Sequence, residues 1–269
     1  MGRRWPALEI LAIDLKEAYR FPIPELLAFL YAFFPLTFSP MVLTLTAGLE
    51  EARLLLIMSL SSGMVSFITI VLILKNISYG LANEVRKGLI QTYLTYPVRR
   101  EALFLVKLVS GILIPAAYVA LSIGVFTALN FPDLALKHLD VLIVGLLALL
   151  ADVLLPASLM LLAAVVVRRG GASLAIGIAL WFALGVVSSM LLVIGNLTGW
   201  ENVVHAYYLL SPLEALLVHY GAIGLGPIMP GGEKPELWHC HAYLIGNYAI
   251  ALAFYSLALI YFVRRFEPV

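Results

Sequence analysis

Residues Gly80–Leu108 read GLANEVRKGLIQTYLTYPVRREALFLVKL. The stretch is charged, while the runs on either side are apolar and exceed the roughly 20 residues a helix needs to cross a bilayer. A charged, helix-forming piece that joins two spans sits at a membrane face. On a helical wheel Leu81, Val85, Leu89, Thr92, Tyr93 and Tyr96 share one uncharged side, with Gly88 at its edge. Asn83, Glu84, Lys87 and Gln91 fall on the other, the pattern of a helix lying along an interface. Ile90 and Leu94 interrupt the polar side and predict a second packing contact. Pro97 ends the helix, because it lacks an N–H and disfavours helical geometry at Tyr96.

Working outward, the composition agrees. The chain has 269 residues, 62% hydrophobic and 12% charged, whereas a soluble domain is about half apolar and a quarter charged. This is the composition of an all-α integral membrane protein that crosses the bilayer several times. A net charge of +1 gives no argument for nucleic acid as a partner. The single cysteine, Cys240, excludes an intrachain disulfide. Arg3, Arg4, Asp14, Lys16 and Arg20 leave no clean apolar core for a cleavable signal, so the first span is expected to direct insertion.

Residues 5–20 predict an interfacial helix, with Trp5, Leu8, Leu11, Ala12, Leu15 and Tyr19 on one face and Glu9, Lys16, Glu17 and Arg20 on another. Phe21-Pro22-Ile23-Pro24 breaks it. Residues 1–24 therefore form an N-terminal interfacial segment and 25–269 a single transmembrane domain. Six spans are expected, at 25–47, 54–79, 102–130, 141–167, 172–198 and 242–263. With alternate sides assigned, all Lys and Arg except Arg53, Lys137 and Lys234 fall on one side, which places both termini and 80–101 in the cytoplasm. The 199–241 stretch is then external. Val203–Tyr220 is too apolar for open solvent, is interrupted at Ser211-Pro212, and predicts two short re-entrant helices.

Four features carry chemistry. No Gly-x-x-x-x-Gly-Lys-Ser/Thr phosphate loop is present, so the chain has no ATPase site of that kind. Asp152 falls near the middle of the fourth span, close to Pro156, where a charge costs about 3 kcal/mol to insert and marks a candidate polar site. Lys75 and Lys107, near span ends, are expected to snorkel. His239, Cys240 and His241 are metal-ligating types, but adjacent positions seldom converge on one ion, so they stand as weak candidates only.

The Glu84-x-x-x-Gly88 pair, the Leu94–Thr95–Tyr96–Pro97–Val98–Arg99 turn and the later Lys107 resemble the permeases of ABC transporters of the second exporter type, ABC-2. The chain departs from that pattern at Leu89, Gln91 and Val106. The resemblance implies that 5–20 is an elbow helix and that 80–101 is a coupling helix docking a separate cytosolic ATPase through Glu84, Arg86, Lys87, Gly88, Tyr96, Pro97, Arg99 and Arg100. It implies no cofactor in this chain, ATP and Mg being bound by the ATPase. It also implies a second permease as partner, alike or different, in the lipid of the plasma membrane. The expected function is thus a transport subunit, not an enzyme. The alternative is a membrane-embedded metal-dependent enzyme using the external His/Cys cluster, and a membrane scaffold is a third reading.

Overall fold

The computed structural model describes residues 6–20, 25, 29–30, 33, 50–95, 98–221 and 234–265. Most of the expected first span lies outside these residues, as do Tyr96, Pro97 and 222–233. Among the described residues all regular structure is helical. Among them five helices are long and apolar enough to cross a membrane: Val65–Lys87, Arg100–Asn130, Leu139–Val167, Gly170–Thr198 and Leu237–Arg264.

In chain order, α1 is Pro6–Ala18 and α2 is Glu50–Ile73, which continues through a π-helical stretch, Leu74–Leu81, into α3, Ala82–Lys87. The short α4, Leu89–Leu94, precedes α5, Arg100–Leu108. A second π-helical stretch, Val109–Leu113, leads into α6, Ile114–Asn130. Then come α7 (Pro132–Lys137), α8 (Leu139–Val167), α9 (Gly170–Thr198), α10 (Glu201–Leu210), α11 (Pro212–His219) and α12 (Leu237–Arg265).

The organising element is α8. Its sequence is apolar all round, the signature of a helix enclosed by others. In its most apolar window 61% is buried, against 6% for α9, so α8 is central and α9 peripheral. α8 packs against α12, α9, α2 and α6. The Tyr248 and Tyr255 hydroxyls of α12 donate to the carbonyls of Leu147 (2.8 Å) and Leu154 (3.0 Å). Both pairs are seven residues apart, about two helical turns, so the same two faces stay in register.

The two π-helical stretches lie against each other. Gly111 makes that approach possible, since a Cβ there would lie 2.3 Å from Ile77 Cδ1 and 2.8 Å from its Cγ1. Widened turns of this kind gather at functional sites.

The helix ends sort into two groups. At one, which we term the basic end, Asn83 of α3 meets Gly170 at the start of α9. There too the Arg100 guanidinium of α5 donates to the Val263 carbonyl of α12 at 3.3 Å. At the opposite end Lys137 pairs with Glu50, and His138 lies between Glu50 (3.2 Å) and Glu51 (3.4 Å). The Lys137 hydrogen bond, followed by that of His138, holds the Glu50 carboxyl below its usual range.

α1 shows where the helical wheel misplaces a face. Ile10 and Asp14 are buried with Ala7, Leu11 and Ala18 beside them, whereas Leu8 is 61% exposed and Ala12 is exposed as well. The helix turns Asp14 inward because that carboxylate finds a cation in the bundle.

Candidate functional site

The 80–101 segment is two short helices, not one. At Gly88 the backbone enters the left-handed region (φ 74°), and its N–H caps α3 on the Glu84 and Val85 carbonyls. Glycine adopts this geometry without a Cβ penalty. The break shifts the helical phase. A continuous helix would place Leu89 over Val85; instead Leu89 is 42% exposed, while Ile90 is fully buried and Leu94 packs beside it in the same core. The expected second contact at Ile90 and Leu94 thus becomes the main one, and the wheel's uncharged face ends at Gly88.

Glu84 does not join the free polar face. Its Oε2 lies 2.7 Å from Lys107 Nζ, which is also 2.8 Å from Asp14 Oδ1. The Ser110 hydroxyl donates to Asp14 Oδ2 at 3.3 Å, and Lys107 Nζ sits 5.3 Å from the centre of the Tyr93 ring. One ammonium therefore holds α1, α3, α4 and α5 together. Lys107 is 5% exposed, so it does not snorkel as its sequence position predicts. Two carboxylates within ion-pair reach compensate its charge. Replacing such a cluster with apolar side chains is often neutral, but removing one member leaves an uncompensated buried charge.

Two more bonds fasten α1 at this place. Tyr19 Oη donates to the Ser110 carbonyl at 2.8 Å, and Lys75 Nζ donates to the Ala18 carbonyl at 3.4 Å. A cavity of about 290 Å³ lies alongside, lined by Asp14, Glu17, Lys75, Asn76, Glu84 and Lys107 among others. Burial pushes the Tyr93 hydroxyl above its usual range.

What stays outward is Arg86, Lys87, Leu89, Gln91, Thr92, Thr95 and Arg99. Arg100 is half-buried through its bond to α12. Of the residues expected to dock a partner, Arg86, Lys87 and Arg99 are thus on the surface, Gly88 shapes the turn, and Glu84 is half-buried in the charged cluster.

Asp152 lies 13 residues into the 29-residue α8, about 20 Å from its start. The turn between α10 and α11 reaches the same level, where the Ser211 and Ser188 hydroxyls are 2.9 Å apart. Asp152, Ser188, Ser211, Trp181 and Leu210 line part of a cavity of about 250 Å³.

His239, Cys240 and His241 lie on consecutive positions of α12, about 100° apart around the helix, and so point three ways. The His239 ring is tilted against that of Trp238 with centres 3.6 Å apart, Cys240 is 1% exposed, and His241 lines a different cavity with Asp140. Among the described residues no three His, Cys, Asp or Glu side chains converge on a metal-sized site.

Sequence reasoning missed Asp14, Tyr93 and Ser110 in the charged cluster and Ser211 in the α8–α9 cavity. Asp14 had one signal: it stands one turn after Ile10 on an amphipathic helix, on the stripe that faces inward. No known family model matches the chain, and no curated protein matches it.

Proposed function

We propose that this chain is the membrane subunit of an ATP-driven exporter of the ABC-2 type, moved by a separate cytosolic ATPase that grips its basic end. In this reading there are six spans, both termini are cytoplasmic, two permeases pair in the plasma membrane, and ATP and Mg belong to the ATPase.

One observation carries the reading. Glu84 and Lys107, two positions of the motif that resembles the family, are 2.7 Å apart, and Asp14 completes the bridge. A push on the exposed Arg86–Lys87–Gln91 surface therefore reaches α1, α3 and α5 through a single buried ammonium, without slack from solvent. α5 continues through its π-helical stretch into α6, so the displacement is delivered to a whole candidate span. Arg86 and Lys87 are exposed cations, suited to an acidic groove on a partner.

The test is charge reversal on the outer surface. Arg86→Glu with Lys87→Glu leaves the buried cluster intact, so the protein inserts and folds normally. Co-purification of the ATPase from the native host falls at least tenfold. Undiminished co-purification would remove the docking assignment.

A further inference from the structure

We propose that the cavity at Asp152 is a binding site for a hydrophobic amine in its protonated form. The proposal rests on α8 and α9 being membrane-embedded and is independent of ATPase docking.

The titratable groups whose fields reach Asp152 carry no positive charge. Its carboxyl lies deep in the bundle, keeps some accessible surface, and lines the cavity. Among the described residues it makes no hydrogen bond and no ion pair, and the titratable groups whose fields reach it, Glu214, Tyr207 and Tyr248, supply no cation. Of the residues outside the described set, 21–24, 26–28, 31–32, 34–49, 96–97, 222–233 and 266–269 contain no Lys, Arg or His, so Arg3 and Arg4 are the only cationic side chains among them. A carboxylate at this depth is stable only when neutralised. Empty, the site holds a proton; filled, it holds a cation.

The polar groups at the cavity are chiefly acceptors. Pro156, four residues after Asp152, has no N–H, so the Asp152 peptide oxygen loses its ordinary helical donor. A carboxyl and a main-chain acceptor therefore come from one residue. The Ser188–Ser211 hydroxyl pair uses one of its two hydrogens between its oxygens, leaving one donor and a larger number of acceptor sites at the cavity wall. Acceptors outnumber donors, which suits an N–H-bearing cation and not an anion.

The rest of the wall is apolar and includes Trp181, whose indole, the best ring type for a cation, also packs on Phe67 and Phe182. About 250 Å³ accommodates an ammonium head and a short alkyl tail. Trp181 and Gly185 also line an outward apolar groove along Phe182, Val186 and Met190 of α9. A ligand with one cationic end and one apolar end fits both spaces together. A small hydrated metal ion would leave the apolar wall unused.

The experiment uses the full chain in lipid nanodiscs and a hydrophobic carbodiimide, which reacts with protonated carboxyls in apolar surroundings, with the adduct located by mass spectrometry. We expect modification at Asp152. N,N-dimethyloctylamine, a tertiary amine that cannot form an amide, slows it about tenfold at ten times its dissociation constant, because only unliganded protein reacts. Octanol at equal membrane concentration has no such effect. No adduct at Asp152, no protection by the amine, or equal protection by octanol would each overturn the proposal. No ATPase or nucleotide is present, so the result is separate from the fate of the exporter reading.

Discussion

Lys107 Nζ lies 2.7 Å from Glu84 Oε2 and 2.8 Å from Asp14 Oδ1, and this one cation joins the first helix to the third and the fifth. Lys107→Met leaves two carboxylates facing each other without a cation. It is expected to destabilise the protein by about 3 kcal/mol, the range for breaking a buried pair. Glu84→Gln costs less, because Lys107 keeps Asp14. Adding Asp14→Asn and Glu84→Gln to Lys107→Met recovers part of the loss, since no uncompensated charge remains. Thermal unfolding in nanodiscs measures all three.

Gly88 separates α3 from α4 at φ 74°, and a Cβ there would meet only Gln91 Oε1 at 3.4 Å. The cost of a side chain is therefore conformational, not steric. Gly88→Ala is expected to cost about 1 kcal/mol and Gly88→Asn less, because Asn visits the left-handed region more readily. Equal costs for the two variants, read from unfolding midpoints, would argue against the break at this position.

Gly111 is different, because there the obstacle is Ile77. Gly111→Ala is expected to destabilise by about 2 kcal/mol through overpacking. Combined with Ile77→Ala the two losses are less than additive, since the shortened side chain vacates the contested space. Strict additivity in a double-mutant cycle would show that the two π-helical stretches do not meet there.

These sites also show how far the amino-acid sequence can be read. The helical class and the apolar runs were legible, because span length and periodicity are local properties. The break between two short helices at Ser211-Pro212 was legible for the same reason. The phase shift at Gly88 was not, since a wheel assumes one continuous helix. The inward turn of Asp14 and Lys107 was hidden because each reads alone as a surface charge. Only the approach of residues 93 positions apart makes burial favourable. Asp152 was visible as an oddity, but its cavity depends on Ser211 arriving from another element.

Sidedness has a direct check. Cys240 is 1% exposed and a poor reporter in the folded protein, so it is best replaced by alanine. In that background Lys234→Cys and Arg99→Cys occupy exposed positions on the two expected sides. A membrane-impermeant maleimide added outside intact cells is expected to label the first and spare the second. The reverse pattern would invert the topology.

What touches the outer face of α3 and α4 decides whether force enters the membrane domain there. A photoreactive residue placed at Gln91, which is exposed and outside the buried cluster, gives the most direct reading in the native host. It is expected to form an adduct with an ATP-binding-cassette ATPase, and the same group placed at Lys234 is expected to form none. Adducts with lipid alone at Gln91, or equal capture of the ATPase from both positions, would contradict the claim that force enters the membrane domain there.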